Sequence, residues 1–183
     1  MSQSAIDSAT QEKLEALIKQ EEGDSNKYKG LFAVFLTLIA VSMSLFHLYA
    51  AYSIVPTQVL RTVHVSFMLF LVFLSFPLMA RFKNRLMWWD VICALLAIYV
   101  AYFAISSGDD FGDRNTAPNS IDIVWGTILI LLILEAVRRT SGFILVSVTV
   151  LFLMYALFGD YLPAPWTHKG YSIDRLVGFM YLT

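Results

Sequence analysis

Ile128-Leu-Ile-Leu-Leu-Ile-Leu-Glu135-Ala-Val-Arg138-Arg139-Thr-Ser-Gly142 runs from pure hydrocarbon into one acid, two arginines and a glycine. A second apolar run, Phe143 to Phe158, follows at once. The junction reads as one membrane span ending at a water interface and the next beginning. Glu135 reaches Arg138 and Arg139 at i+3 and i+4, so the charges can neutralise one another locally.

Composition extends this reading to the whole chain. Of its 183 residues, 58% are hydrophobic and 15% charged, where a soluble domain carries about 25% charge. The apolar residues run continuously and do not alternate, which argues against a β-barrel. The fold class expected is an all-α membrane protein of about five transmembrane helices, with an N-terminal amphipathic helix and a C-terminal interfacial helix. Cys93 lies inside a span and has no partner for an intrachain disulfide.

Residues 1–29 read as a cytoplasmic amphipathic helix and linker. Ser8-Ala-Thr-Gln11 resembles a capping box, Leu14, Leu17 and Ile18 share one face, and Gly23 suits the end. Such a helix lies on the membrane surface or docks a partner. The acidic, polar start is unlike a cleaved signal, so the first span is expected to be retained. The spans expected are Gly30 to Ile54, Leu60 to Ala80, Met87 to Ser106, Ile121 to Val137 and Gly142 to Phe158. Residues 30–139 form a four-span unit and residues 140–159 a fifth, connecting span. Residues 160–183 form an outer interfacial segment. There Pro163 and Pro165 stop the helix, Tyr161, Trp166 and Tyr171 suit an aromatic belt, and Ser172 caps a last short helix.

Orientation follows from the basic residues. Lys27, Lys29, Arg81, Lys83, Arg85, Arg138 and Arg139 fall on one side when the spans alternate. The N-terminus is then cytoplasmic and the C-terminus outside. The outer loop, Ser107 to Ser120, reads as a solvated acidic turn or a docking surface for a soluble partner. Its Asp spacing does not match an EF-hand.

Few residues offer chemistry. His47 and His64 sit equally far from the turn at Val55-Pro56, hence at one depth. Two imidazoles at one depth can pack as a hydrogen-bonded pair or ligate a b-type haem or other metal, which makes a membrane redox protein the alternative function. Asp90 can complement the dipole of the third span beside Arg85, and Glu135 pairs with its arginines; a proton relay through the two acids is the sharper reading. Arg61 suits snorkelling, or holding a carbonyl or a partner's acid. No nucleophile triad, phosphate loop, zinc motif, nucleic-acid patch, internal repeat or discontinuous helix pair is present. No enzyme activity, cofactor, metal or nucleic-acid partner is expected. A small independent channel is disfavoured because no span carries a run of polar lining residues.

Two sets of motifs carry a family resemblance over roughly residues 60–183. Arg61-Thr-Val-His64-Val-Ser-Phe67 with Phe73-Leu74-Ser-Phe76-Pro77 resembles the second span of TRAP transporters of the TAXI type. Asp122-Ile-Val-Trp-Gly126, the Glu135 to Gly142 stretch, Tyr155-Ala-Leu-Phe-Gly159-Asp-Tyr-Leu162-Pro163 and Gly170-Tyr-Ser-Ile-Asp-Arg-Leu are similar to later parts of the same family. The resemblance implies the small, Q-type membrane component, like the N-terminal part of a fused permease. It would act as a static scaffold for a large, M-type elevator subunit in secondary, symport-type uptake of organic anions such as dicarboxylates. The implied partners are that large subunit, a periplasmic substrate-binding protein and membrane lipids, in a bacterial inner membrane. The chain departs from the fused pattern at Thr183, which leaves the two parts as separate polypeptides or this chain as a fragment. A four-span component would end in the cytoplasm, whereas the large part starts outside, so the fifth span joins them. Arg61, His64, Asp90, Glu135, Arg138 and Arg139 are the interface or structural candidates.

Overall fold

The computed structural model describes residues 10, 11, 13, 14, 25, 26, 28–108 and 110–183, with the backbone alone at 80. Regular structure among them is helical, without a strand. The long helices are α1 (Leu31–Tyr52), α2 (Thr57–Ser75), α3 (Trp88–Ser106), α4 (Ser120–Ser141) and α5 (Phe143–Phe158). All five are long and apolar enough to cross a membrane, α5 when the 3-10 turn to Tyr161 is included, as in a multi-pass membrane protein. A shorter α6 (Ile173–Leu182) closes the chain. Near the N-terminus, Thr10, Gln11, Lys13 and Leu14 are helical and exposed; Ser8, Leu17, Ile18, Gly23, Lys27 and Asp109 lie outside the described residues.

Three span boundaries differ clearly from expectation, the first being the start of α2 at Thr57, ahead of Leu60. The second apolar run continues to Ala80, yet α2 stops at Ser75. Phe76 is extended, because a residue before proline is pushed out of the helical region and Pro77 follows. The fourth span is longer than expected: α4 carries Arg138 and Arg139 inside the helix and ends at Ser141. Gly142 then adopts φ +76°, a left-handed conformation suited to glycine, and its N–H donates to the Arg138 carbonyl at 3.2 Å. The break is so short that α5 starts one residue later.

The core is the α2–α3–α4 bundle. Ala94, Ala97, Ala101 and Ala104 recur along α3 at steps of three, four and three, and all are buried. Between apolar helices in lipid, association rests on van der Waals contact, and small side chains let backbones approach closely. Leu69, Phe73 and Leu74 of α2 and Leu132 and Ala136 of α4 complete that seam with Ala94 and Ala97. By contrast α1 and α5 flank the bundle, and neither has a buried residue. The entry to α1 is nonetheless tied down: Asn26 N–H donates to the Ser75 carbonyl at 2.7 Å, and Asn26 Oδ1 accepts from Asn84 N–H at 2.6 Å.

The C-terminal helix is more than an interfacial segment. Its Val177, Gly178, Tyr181 and Leu182 are buried, and they pack on α4 and on the turns 110–116. Two glycines permit this. A Cβ at Gly126 would lie 2.4 Å from Val177 Cγ1, and one at Gly178 would lie 2.4 Å from the Asn115 carbonyl.

Candidate functional site

Charge gathers at the two ends of the bundle. At the basic end the elements that converge are the exit of α2, the start of α3 and the last turns of α4. Asp90 Oδ2 accepts from the Met87 N–H at 3.0 Å, capping α3. Its other oxygen accepts from Arg139 Nη1 at 2.7 Å. The partner of Asp90 is therefore Arg139 of another helix, and not the sequence-adjacent Arg85. Arg139 also donates Nε to Glu135 at 2.8 Å and Nη1 to the Phe76 carbonyl at 3.1 Å. Its guanidinium lies 5.0 Å from the Phe73 ring centre. Arg138 grips Glu135 through Nε and Nη2, both at 2.7 Å, and donates Nη2 to the Leu78 carbonyl at 2.8 Å.

These bonds explain why α4 stays helical through two arginines. The break at Pro77 exposes carbonyls that α2 cannot satisfy, and the arginines of α4 take those at Phe76 and Leu78. Charge neutralisation by Glu135 and Asp90 then lets Arg139 bury its side chain to 1% exposure.

The opposite end holds a second cluster. Arg114 binds Asp122 bidentately, Nε to Oδ2 and Nη2 to Oδ1, both at 3.0 Å. Asn119 and Asp122 exchange side-chain bonds with each other's backbone N–H at 2.8 and 3.1 Å, a capping box that opens α4. Asp122 is fully buried. Hydrogen bonding to Asp122 raises the Arg114 pKa above its ordinary value. Phe111 is also buried and meets Tyr181 edge-on at 5.0 Å. The outer loop keeps Asp110 and Asp113 exposed, as expected of a solvated acidic turn, while Phe111 anchors it onto the bundle end. Tyr181 donates its hydroxyl to the Val100 carbonyl at 3.0 Å, and burial, aided by Asp122, pushes its phenol pKa up.

The histidines of α1 and α2 do come together. His64 Nδ1 and His47 Nε2 are 2.9 Å apart, and His47 Nδ1 is 2.8 Å from the Met43 carbonyl. Axial ligation of a haem iron would place the metal between the two nitrogens, with bonds near ~2 Å each. The rings instead hydrogen-bond directly. Arg61 stays exposed at a wall shared by cavities of about 170 and 260 Å³. It makes no hydrogen bond or ion pair among the described residues.

Comparison with protein-family models, curated proteins and solved structures finds no match to this chain. What the site can do must therefore be read from its own chemistry. Both end clusters are closed: among the described residues every buried side-chain nitrogen and oxygen has a partner. Asp90 and Glu135 share the guanidinium of Arg139, so the two acids of the proposed relay are clamped to one fixed cation.

Arg114, Asp122 and Tyr181 are not among the interface or structural candidates, although Asp122 opens one of the motifs that carry the resemblance. The signal for Asp122 was present in Asn119-Ser-Ile-Asp122, which has the capping-box spacing. The alanine steps of α3 were likewise legible as a packing stripe. Nothing local links Arg139 to Asp90, 49 residues away.

Proposed function

We propose that this chain is the small, Q-type membrane subunit of a TRAP transporter for organic anions such as dicarboxylates. In this reading it is a static scaffold for an elevator-type large subunit. The family assignment rests on the motifs of α2, α4, α5 and the C-terminal segment. The scaffold role rests on one structural observation. Among the described residues the buried charged side chains are Asp90, Asp122 and Arg139, and all are consumed in ion pairs at the ends of the bundle. A substrate or coupling-ion site in a membrane keeps polar groups available near mid-depth; here the seam between α2, α3 and α4 is filled by alanine, leucine and phenylalanine.

The orientation follows the positive-inside rule, with the basic end cytoplasmic and α6 with the turns 110–116 on the periplasmic side of a bacterial inner membrane. The exposed flanks of α1 and α5 would meet lipid and the large subunit, and the outer turns would help to seat the binding protein.

Reconstituted alone in proteoliposomes, the chain should take up no labelled C4 dicarboxylate under a sodium or proton gradient. Uptake should need both a large membrane subunit and a soluble binding protein, and the chain should co-purify with the large subunit. Gradient-driven uptake by the chain alone would overturn the scaffold reading.

A further inference from the structure

The contact between His47 and His64 plays no part in either ion-pair cluster or in the scaffold role. With both rings neutral, the Met43 carbonyl sets the hydrogen-bond directions of this contact. A carbonyl only accepts, so His47 Nδ1 carries the proton in its 2.8 Å bond to Met43. His47 Nε2 therefore presents a lone pair, and His64 Nδ1 donates to it across 2.9 Å. A metal-ligating histidine makes this same bond from its other nitrogen to a backbone carbonyl, which sets the tautomer and ring orientation. His47 already has the form of a ligand.

The two rings share an open cavity of about 520 Å³ with Met43, Ser44 and Leu48. Met43 precedes His47 by four residues, so both side chains lie on one face of α1. We propose that Met43, His47 and His64 form a site for one monovalent copper ion, bound by His47 Nε2, His64 Nδ1 and the Met43 thioether. Water gives a proton to His64 Nε2 and takes the one on Nδ1, so the ring stays neutral and no net proton is lost. With three ligands the angle between metal–nitrogen bonds of ~2.0–2.1 Å is about 120°, which sets the nitrogens ~3.5 Å apart, about 0.6 Å beyond the present contact. Helix α1, without a buried residue, can yield that distance.

The donor set selects the ion. A thioether favours Cu(I), and imidazole also suits copper. All three ligands are neutral, so the site carries only the ion's own charge. One charge on an apolar helix pair costs less than the two of zinc or Cu(II).

The test uses the full chain in detergent, without a histidine tag and with Cys93→Ser to remove the competing thiol. Cu(I) is titrated against a chromophoric chelator. One equivalent should bind, and X-ray absorption should show two nitrogen neighbours and one sulfur. His47→Ala and His64→Ala should each weaken binding by more than about 100-fold, beyond what loss of a supporting hydrogen bond costs. Met43→Leu should weaken Cu(I) binding and remove the sulfur neighbour, with the circular dichroism unchanged. Absence of a stoichiometric site, or binding indifferent to either histidine, would overturn the proposal. A site that keeps its sulfur signal in Met43→Leu would overturn the ligand assignment. The result is independent of the uptake experiment.

Discussion

Arg139 and Arg138 are neighbours with the same side chain and unequal burdens. Arg139 is 1% exposed in its side chain and is held by two acids; Arg138 is 23% exposed and shares only Glu135. Removing Arg139 leaves the buried Asp90 carboxyl without its ion-pair partner. Arg139→Leu should therefore cost ~3–5 kcal/mol of stability, and Arg138→Leu distinctly less. Thermal unfolding in detergent, followed by circular dichroism, measures both. The double variant Asp90→Leu with Arg139→Leu should recover part of the loss, because neither charge is left behind. Equal single losses, or a double loss equal to the sum of its parts, would show that the pair is not coupled as the geometry implies.

Among the elements, α6 depends most on single positions. It is ten residues long, too short to cross a bilayer of ~30 Å at 1.5 Å per residue. Its attachment runs through backbone contact at Gly178 and side-chain contact at Gly126. A Cβ at Gly178 meets a carbonyl oxygen, which cannot rotate away as a side chain can. Gly178→Val should cost ~1–3 kcal/mol and release α6 from the turns 110–116. Tyr181→Phe removes one hydroxyl bond and should cost ~1 kcal/mol while leaving α6 docked. Hydrogen exchange of residues 173–182 separates the two: fast exchange in Gly178→Val and protection in Tyr181→Phe. Protection in both would mean that α6 is held elsewhere.

The whole molecule is asymmetric across its thickness, with Arg138, Arg139 and the α2–α3 connection at one end and the turns with α6 at the other. With Cys93→Ser as background, a membrane-impermeant maleimide added to spheroplasts should label Thr116→Cys and spare Ser141→Cys. Both positions are exposed at the surface. Labelling of Ser141→Cys before membrane disruption would invert the orientation. Burial is uneven in another sense: the three central helices, Phe111 and α6 supply the buried apolar side chains, while α1 and α5 keep large ones such as Leu48, Leu151 and Phe152 exposed. In lipid such faces carry no penalty, so exposure there gives no measure of instability.

Local pattern was enough for the helices. Apolar runs of ~20 residues leave the backbone no partner but itself in hydrocarbon, so each run had to become a helix. Equal spacing from the Val55-Pro56 turn put His47 and His64 at one depth, and Glu135 met its arginines because i+3 and i+4 share a helix face. Pro77 also carried its information locally, although the apolar run past it hid the helix end. The partnerships that span the chain were of another kind. Asp90 with Arg139, the Phe76 and Leu78 carbonyls with the arginines of α4, Phe111 with Tyr181 and Gly178 with Asn115 join residues far apart in sequence. Each depends on how the helices are placed against one another, and on which of them is central. Hydropathy rates every apolar surface alike; only packing distinguishes a side chain buried against a neighbour from one left to lipid.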